Sequence, residues 1–345
     1  MIRMFEGIAL VAAGGLVSGL VAVAVLNPPD IATGTPHAVF AFLKSQKFVN
    51  DVPQKEIIGP RFLPLKARGA ENLLSSVYAR ALGSGKLKIE NTTDTLDKAF
   101  SDMGYDLDQV RSGAQRVPRI FLASMPEDFG KTLEVPRKKA LFFKTVLPLI
   151  LKVNAEILQD RRRIWGLKSR LAKLGALPAK DRLWLIVMFE RYKVERGRLS
   201  QLLKRVDIIP VSLALAQAAE ESGWGTSRFT REGNAMFGQW TSAKDEGLVP
   251  KNRDKGKTHK VKVFKSLLHS ARAYVWNLNT HKAYQNLRTL RLQSRKKGVP
   301  IRGMGLVESL ISYSERGEEY VKGIRALITK NKLKYFDEAL LSADA

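Results

Sequence analysis

The sequence predicts a mainly α-helical protein with a small β-hairpin lobe, an N-terminal helical extension, and one membrane-spanning or signal helix at its start. Residues 211–219 are apolar or small on nearly every side, which is typical of a fully buried helix. Residues 136–163 repeat apolar side chains at helical spacing. Residues 260–264, by contrast, alternate between basic and apolar, which indicates a short strand or hairpin.

The start of the chain has Arg3 followed by an uncharged, mostly apolar run over residues 7–26. About twenty apolar residues can span a bilayer as a helix. We favour an uncleaved anchor in the inner membrane. The alternative is a cleaved signal peptide, for which Ala22-Val23-Ala24 offers a small-x-small site. Either interpretation sends the rest of the chain across a membrane, so we expect the main domain in the cell envelope, on the periplasmic or extracytoplasmic side.

Residues 27–115 begin with a stretch punctuated by proline, which predicts a linker or loosely structured stalk. Short helices are expected within it at 71–82 and 95–103. No residue pattern in this segment indicates chemistry.

Residues 116–200 predict a helical extension packed on the main domain. The first expected helix covers 136–163, with a kink or a break at Pro148, because proline cannot donate the helical hydrogen bond. Further helices are expected at 164–174 and at 179–194.

The main domain, expected over residues 201–340, contains a helix that begins at Pro210 and ends before Gly223. Glu220 and Glu221 fall in its last turn, about 100° apart, so they cannot share one environment. The helix C-terminus and burial both raise a carboxyl pKa. A carboxyl that stays protonated near neutral pH can act as a general acid in glycoside hydrolysis. The alternative is an ordinary solvated glutamate.

A set of aromatic, small and amide residues follows this helix and suits stacking on a sugar ring and bonding an N-acetyl group: Trp224, Asn234, Phe237, Gly238 and Trp240. The bacterial glucosaminidases of glycoside hydrolase family 73 have an active-site signature that resembles two strings here, Glu221-Ser222-Gly223-Trp224-Gly225 and Asn234-Ala235-Met236-Phe237-Gly238. The resemblance spans roughly residues 117–333 and includes YVWNLNTHKAY and YSERGEEY in the right order.

The resemblance implies a lysozyme-like helical glucosaminidase domain whose β-lobe overhangs a substrate cleft. It also implies hydrolysis of the β-1,4 bond after N-acetylglucosamine in peptidoglycan or a related glycan. In that scheme Glu221 is the general acid, Tyr313 hydrogen-bonds near the reaction centre, and the five residues given above shape the sugar subsites. Trp240 stands where many family members have an aliphatic residue, so its stacking role does not follow from the family pattern.

A second catalytic group must assist Glu221. The candidates are Asp245, Glu246 and Asp254, of which we prefer Glu246. The alternative is the N-acetyl group of the substrate itself, which is the nucleophile in some glycosidase families. Glu220 is expected to serve structure by bonding a basic residue.

The C-terminal part predicts helices and loops in alternation. Tyr274, Trp276 and Tyr284 recur at helical spacing and are assigned mainly to the core. The expected elements are a helix at 267–287, a basic loop at 288–302, and helices at 308–313 and 319–331.

The net charge of +25 attracts polyanions such as an anionic polymer of the cell envelope, anionic lipid or nucleic acid. Few aromatics accompany the basic residues of the β-lobe, which argues against specific nucleic-acid binding. The chain has no cysteine, and its four histidines lack metal-ligand spacing, so we predict no metal and no cofactor. The rival functions are a lytic transglycosylase on the same scaffold and a non-catalytic envelope-binding protein.

Overall fold

The computed structural model describes residues 92–131, 134–241, 247–250 and 260–343. The predicted anchor at 7–26, the proline-rich linker and the predicted helix at 71–82 lie outside the described residues. Within the described ranges, no helix combines the length and the apolar character needed to cross a membrane.

Contacts divide the chain into two units. Of the described residues, Pro178–Val187 belong to one unit. There the Pro178 carbonyl accepts hydrogen bonds from the backbone N–H groups of Asp181 and Arg182, each at 3.0 Å, which starts a helical turn. Lys66–Leu177 and Met188–Ala345 form the other unit, which holds the candidate site.

Two short helices come first in the described chain: α1 (Thr93–Asp102) and α2 (Leu107–Ser112). Helix α1 was predicted at 95–103, whereas α2 was not predicted. The Asp106 carboxylate caps α2 by accepting from two backbone N–H groups, and Gly113 ends the helix in the left-handed conformation. Six residues are too few for an apolar period to be visible in the sequence.

Helix α3 (Val135–Leu174) is a single helix of 40 residues. Of the kink or break predicted at Pro148, the break is wrong because the helix continues through this residue. The predicted start of a separate helix at residue 164 is also wrong. Ile164 and Leu167 are buried and extend the apolar face of the first predicted helix. Packing of this shared face stabilises the two predicted segments as one continuous helix. The end before Gly175, which is left-handed, agrees with the sequence.

Two helices follow, α4 (Ala179–Arg191) and α5 (Leu199–Arg205). Helix α4 matches the prediction at 179–194 except for its last three residues. The segment after α5 leads into the central helix of the domain.

Helix α6 (Val211–Ser222) is buried along nearly its whole length. Its first turn has no side-chain cap from its own sequence, because Pro210 precedes it. The carboxylate of Asp337, 125 residues downstream, takes this place by accepting from the Ser212 backbone N–H and hydroxyl, each at 2.8 Å. Gly303 allows this close approach, since a Cβ there would lie 2.1 Å from the Ser212 hydroxyl.

The β-lobe follows the short helix α7 (Arg228–Gly233). The predicted hairpin is a three-stranded antiparallel sheet in the order β1-β3-β2, formed by β1 (Trp240–Thr241), β2 (Gly247–Leu248) and β3 (Lys260–Lys262). Val261 pairs with both Trp240 and Leu248. Val261 and the neighbouring Phe264 are buried with Ala235 in a small core of their own, which explains the alternating pattern.

The C-terminal part differs from the prediction in more than one element. After α8 (Leu267–Thr280), helix α9 (Gln285–Lys296) occupies the place of the predicted basic loop. Arg288 and Arg291 are buried in this helix and donate to backbone carbonyls. The prediction of a loop from the basic residues of this segment is therefore wrong.

The remaining elements are short turns and one helix, α10 (Glu318–Lys330), which confirms the prediction at 319–331. The predicted helix at 308–313 is a 3-10 turn, Val307–Leu310. Further 3-10 turns are Lys282–Tyr284, Gly303–Gly305 and Leu333–Glu338.

Candidate active site

Glu221 lies in the last turn of α6, two residues before Gly223, which ends the helix in the left-handed conformation. Its side chain is partly buried and lines a cleft of about 330 Å³. Burial raises the pKa of Glu221 above its ordinary value of 4.5. A hydrogen bond from Tyr320 and the charge of Arg316 lower it, whereas the charge of Glu220 raises it, and the net direction is upward.

A chain of hydrogen bonds connects Glu221 to the core. The Tyr320 hydroxyl donates to Glu221 Oε1 at 2.7 Å, and Gln217 Nε2 donates to the Tyr320 oxygen at 3.0 Å. The Tyr274 hydroxyl completes the chain by donating to Gln217 Oε1 at 2.7 Å. Tyr320, Gln217 and Tyr274 are all buried, so the Glu221 carboxyl is held by groups that cannot be replaced by water.

Glu220 points to a different neighbour. Its carboxylate accepts from the Arg316 guanidinium at 2.6 Å, in a partly exposed ion pair. This agrees with the expectation that Glu220 bonds a basic residue. Adjacent helical positions thus place one carboxylate beside a cation and the other beside neutral hydroxyl and amide groups.

Eleven residues from α6, the β-lobe, α8 and the segments after it line the cleft: Glu221, Phe237, Gly238, Gln239, Trp240, Lys262, Ala273, Trp276, Asn277, Tyr284 and Tyr313. Five of these were predicted as site residues, namely Glu221, Phe237, Gly238, Trp240 and Tyr313. The cleft volume lies at the lower end of the range for small-ligand pockets, roughly 300–1,000 Å³.

Gly238 is a part of the cleft wall that lies close to the acid. A Cβ at this position would lie 3.6 Å from Glu221 Oε2, and the backbone has a φ of +57°. Any larger side chain would extend over the carboxyl from there. The preceding Phe237 is buried and stacks on Tyr274 at 3.9 Å between ring centroids, so it supports the hydrogen-bond chain from the side.

Two predicted subsite residues are not among those that line the cleft. Trp224 packs edge-on against Phe142 and Phe143 of α3, and the Lys139 amine lies 4.6 Å from its ring centroid. Asn234 ends α7 in the left-handed conformation, and its side-chain amide donates to the Phe264 carbonyl at 3.0 Å. Both residues therefore hold neighbouring segments together around the site.

The hydroxyl that meets Glu221 belongs to Tyr320, which the sequence analysis did not assign. Tyr313 instead stacks its ring on the Tyr320 ring, with centroids 5.4 Å apart and an interplanar angle of 10°. Burial raises the pKa of Tyr313 and of Tyr320, so both hydroxyls keep their protons. Both tyrosines belong to the string YSERGEEY, but nothing in that string indicates which one reaches the acid.

The aromatic residues of α8 and the following turn divide between core and cleft. Tyr274 is buried as expected, whereas Trp276 is 37% exposed and lines the cleft together with Tyr284. The Trp276 indole N–H donates to the Arg191 carbonyl at 2.8 Å, and this bond fixes the ring orientation. Helical spacing alone cannot distinguish these two environments.

The candidates for the second catalytic group, Asp245, Glu246 and Asp254, lie outside the described residues. Across the described ranges, no group of three His, Cys, Asp or Glu side chains is arranged to hold a metal ion.

Residues 198–333 match the family model described as "Mannosyl-glycoprotein endo-beta-N-acetylglucosaminidase". Over 216 residues the chain is 36% identical to the protein named "Protein bax" of Escherichia coli (strain K12), an alignment that covers 61% of this chain and 75% of that protein. The chain belongs to the Bax-like family of bacterial glucosaminidase-domain proteins.

The glucosaminidase domain contains Glu221, the Tyr320 hydroxyl and every residue that lines the cleft. Its family description supports the hydrolysis of glycans in general, and the name of the Escherichia coli relative states no activity. No solved structure matches the chain.

Proposed function

We propose that the protein hydrolyses the β-1,4 bond after N-acetylglucosamine in peptidoglycan or a related glycan, with Glu221 as the general acid. The observation that carries this proposal is the partly buried Glu221 carboxyl in the lining of the cleft, with a pKa that burial raises. A raised pKa keeps the proton on the carboxyl at higher pH, as a general acid requires.

The hydrogen bonds around Gln217 support a specific position for the acidic proton. Because Gln217 Oε1 accepts from Tyr274, its Nε2 is turned toward Tyr320 and donates to that hydroxyl. The Tyr320 proton is therefore directed at Glu221 Oε1, which leaves Oε2 to carry the acidic proton. Oε2 is the oxygen beside Gly238 on the cleft wall, where a glycosidic oxygen can approach it.

Two tryptophans are proposed as platforms for the sugar rings. Trp240 on β1 is 64% exposed and Trp276 on α8 is 37% exposed, and both line the cleft. Exposed aromatic rings in a cleft suit stacking against the apolar faces of sugars. Phe237 and Gly238 shape the wall between these platforms and the acid.

The second catalytic group is proposed to be Glu246 or the N-acetyl group of the substrate, with Asp245 and Asp254 as alternatives to Glu246. Carboxyl groups about 5–5.5 Å apart would give retention of configuration, and a separation of about 6.5–9.5 Å would give inversion. Catalysis by the N-acetyl group of the substrate also gives retention, so inversion of the product would exclude both a nucleophilic Glu246 and the N-acetyl group.

The test is digestion of purified peptidoglycan by the wild type and by Glu221→Gln. We expect the variant to lose about 10²- to 10⁴-fold in rate, because general acid catalysis contributes that much. Glu220→Gln is the matched control: it makes the same chemical change one residue away, outside the hydrogen-bond chain, and should remain within a few-fold of wild type. Survival of activity in Glu221→Gln would falsify the assignment of the acid.

Mass spectrometry of the same digest tests the reaction class. A hydrolase leaves fragments that end in a reducing N-acetylglucosamine. Anhydro-sugar ends would identify a lytic transglycosylase that uses the same protonated glutamate, and the proposal of hydrolysis would then be wrong.

The proposed location is the cell envelope, on the extracytoplasmic side, with attachment to the inner membrane through residues 7–26. The uncharged apolar run supports this location. The net charge of +25 supports an anionic polymer of the envelope as a further partner.

A further inference from the structure

A second cavity, of about 600 Å³, lies between the C-terminal end of α2 and the last described turns of the chain. It shares no lining residue with the cleft at Glu221. Its lining brings together four basic side chains from distant parts of the sequence: Arg111, Arg116, Arg302 and Lys334. Glu338 is the one acidic residue in this lining.

The four cations differ in how far their charge is compensated. Arg111 pairs with Asp108 and Arg302 pairs with Glu338, each at 2.6 Å. Arg116 and Lys334 are exposed, and neither has a carboxylate partner in the part of the chain that the structure describes. Among the described residues, Arg116 and Lys334 thus give the cavity two positive charges that face solvent and have no carboxylate partner.

An aromatic ring stands beside these charges. Tyr335 is 49% exposed, and the Lys334 amine lies 5.0 Å from its ring centroid. A ring of this kind can stack against the apolar face of a sugar while the amine meets an anionic substituent. A single exposed ring does not provide the series of stacking platforms that single-stranded nucleic acid uses.

We propose that this cavity binds an acidic polysaccharide or related envelope polymer whose negative groups are carboxylates or phosphates. Guanidinium groups bind both anions through paired hydrogen bonds, so Arg116 is suited to either. The site is independent of hydrolysis at Glu221. It would hold the polymer on the protein while the cleft acts on a different part of the envelope.

The test is binding of the full chain to three immobilised probes: polygalacturonate, whose charges are carboxylates, poly(glycerol phosphate), whose charges are phosphodiesters, and a single-stranded DNA oligonucleotide. The variant is Arg116→Glu with Lys334→Glu, both exposed, so the fold is kept. The control is Lys296→Glu with Lys297→Glu, which makes the same charge change at exposed positions at the end of α9.

We expect the cavity variant to bind polygalacturonate, poly(glycerol phosphate) or both about tenfold more weakly at low salt, and the control to stay within about twofold of wild type. The probe that loses affinity identifies carboxylate or phosphate as the recognised group. The difference should shrink at higher salt, because exposed charges are screened.

Equal losses in both variants would show that the overall charge binds the polymers, and no loss would show that the cavity does not bind them. A loss confined to DNA would assign the cavity to nucleic acid. Each of these three results overturns the proposal. Glu221→Gln should keep full polymer binding, so failure of the hydrolase proposal is distinguishable from failure of this one.

Discussion

Asp207 precedes helix α6 and Glu221 lies in the last turn of this helix, and their carboxyl groups have opposite pKa shifts. Burial opposes the ionisation of Asp207, but Arg295, Arg291 and Arg161 lie around it, and the pKa of Asp207 is lowered. Glu221 is also removed from water, but its hydrogen-bond donor is the neutral Tyr320, and its pKa is raised.

The surroundings of Asp207 fix the entry to α6. Arg295 donates to both carboxylate oxygens of Asp207, at 2.8 and 3.1 Å. Arg291 donates to the carbonyls of Asp207 and Ile208, and Asn154 of α3 exchanges two hydrogen bonds with the Ile209 backbone. The charge of the neighbouring groups therefore decides whether a buried carboxyl stays ionised and stabilises the fold, as Asp207 does, or keeps a proton more readily, as Glu221 does.

The largest expected effect is on stability. Asp207→Asn should destabilise the fold by about 3–5 kcal/mol, because it leaves buried guanidinium groups without their shared carboxylate. Urea unfolding measures the free energy. Glu195→Gln is the control, since it breaks an exposed pair with Arg198 and should cost less than about 1 kcal/mol. Equal losses would mean that the buried cluster contributes no more than a surface pair.

The second effect is on catalysis. Tyr320→Phe removes the hydroxyl that lowers the pKa of Glu221, so the pKa should rise further and the alkaline limb of the pH–rate profile should move to higher pH. The rate should fall about tenfold, which corresponds to the loss of one hydrogen bond to a charged or polar group.

Tyr313→Phe is the matched control for Tyr320→Phe. It makes the same change in the ring stacked on Tyr320, where no hydrogen bond to Glu221 is made in the described structure. Its pH–rate profile should keep the alkaline limb of the wild type. If the limb moved in Tyr313→Phe and not in Tyr320→Phe, the roles of the two tyrosines would be reversed.

The smallest effect is the pH dependence of stability, and it should have opposite signs at the two carboxyls. The pKa of Glu221 is raised in the folded state, so the unfolded chain loses this proton first. Wild-type stability therefore falls as pH rises from about the ordinary value of 4.5 through the folded pKa. Glu221→Gln has no carboxyl to ionise, so its stability should not fall with pH for this reason. Its melting temperature should exceed that of the wild type at alkaline pH and approach the wild-type value in acid.

Asp207 should show the reverse. Its pKa is lowered in the folded state, so its stabilisation is complete above the ordinary value of 3.8 and is lost as pH falls through the folded pKa. The deficit of Asp207→Asn should therefore be greatest near neutral pH and shrink in acid. Calorimetry of both variants across pH checks the pair, and differences from the wild type that do not change with pH would contradict both assignments.

Local signals in the sequence were sufficient to predict α6 and the position of Glu221 in its last turn. A run of apolar and small residues, a proline at the start and a glycine at the end predict the helix, and the structure has it at Val211–Ser222. The end of α3 before Gly175 was predictable for the same reason. These features depend on a few neighbouring residues.

The features that were missed depend on distant contacts. From the sequence, Arg288 and Arg291 belonged to a predicted basic loop. In the structure their guanidinium groups donate hydrogen bonds to backbone carbonyls of other elements. Tyr320 meets an acid 99 residues earlier in the chain. Trp224 has a φ of +60° and turns toward α3, a direction that the residue type does not reveal.

The bond between Asp337 and the start of α6 has a consequence for biosynthesis. The first turn of the helix that carries Glu221 takes its cap from a residue that the ribosome adds 125 residues later. A nascent chain that has only reached α10 therefore holds an incomplete site. On the proposed function, we therefore expect hydrolysis only after the C-terminal turn has emerged and docked, late in the synthesis of the protein.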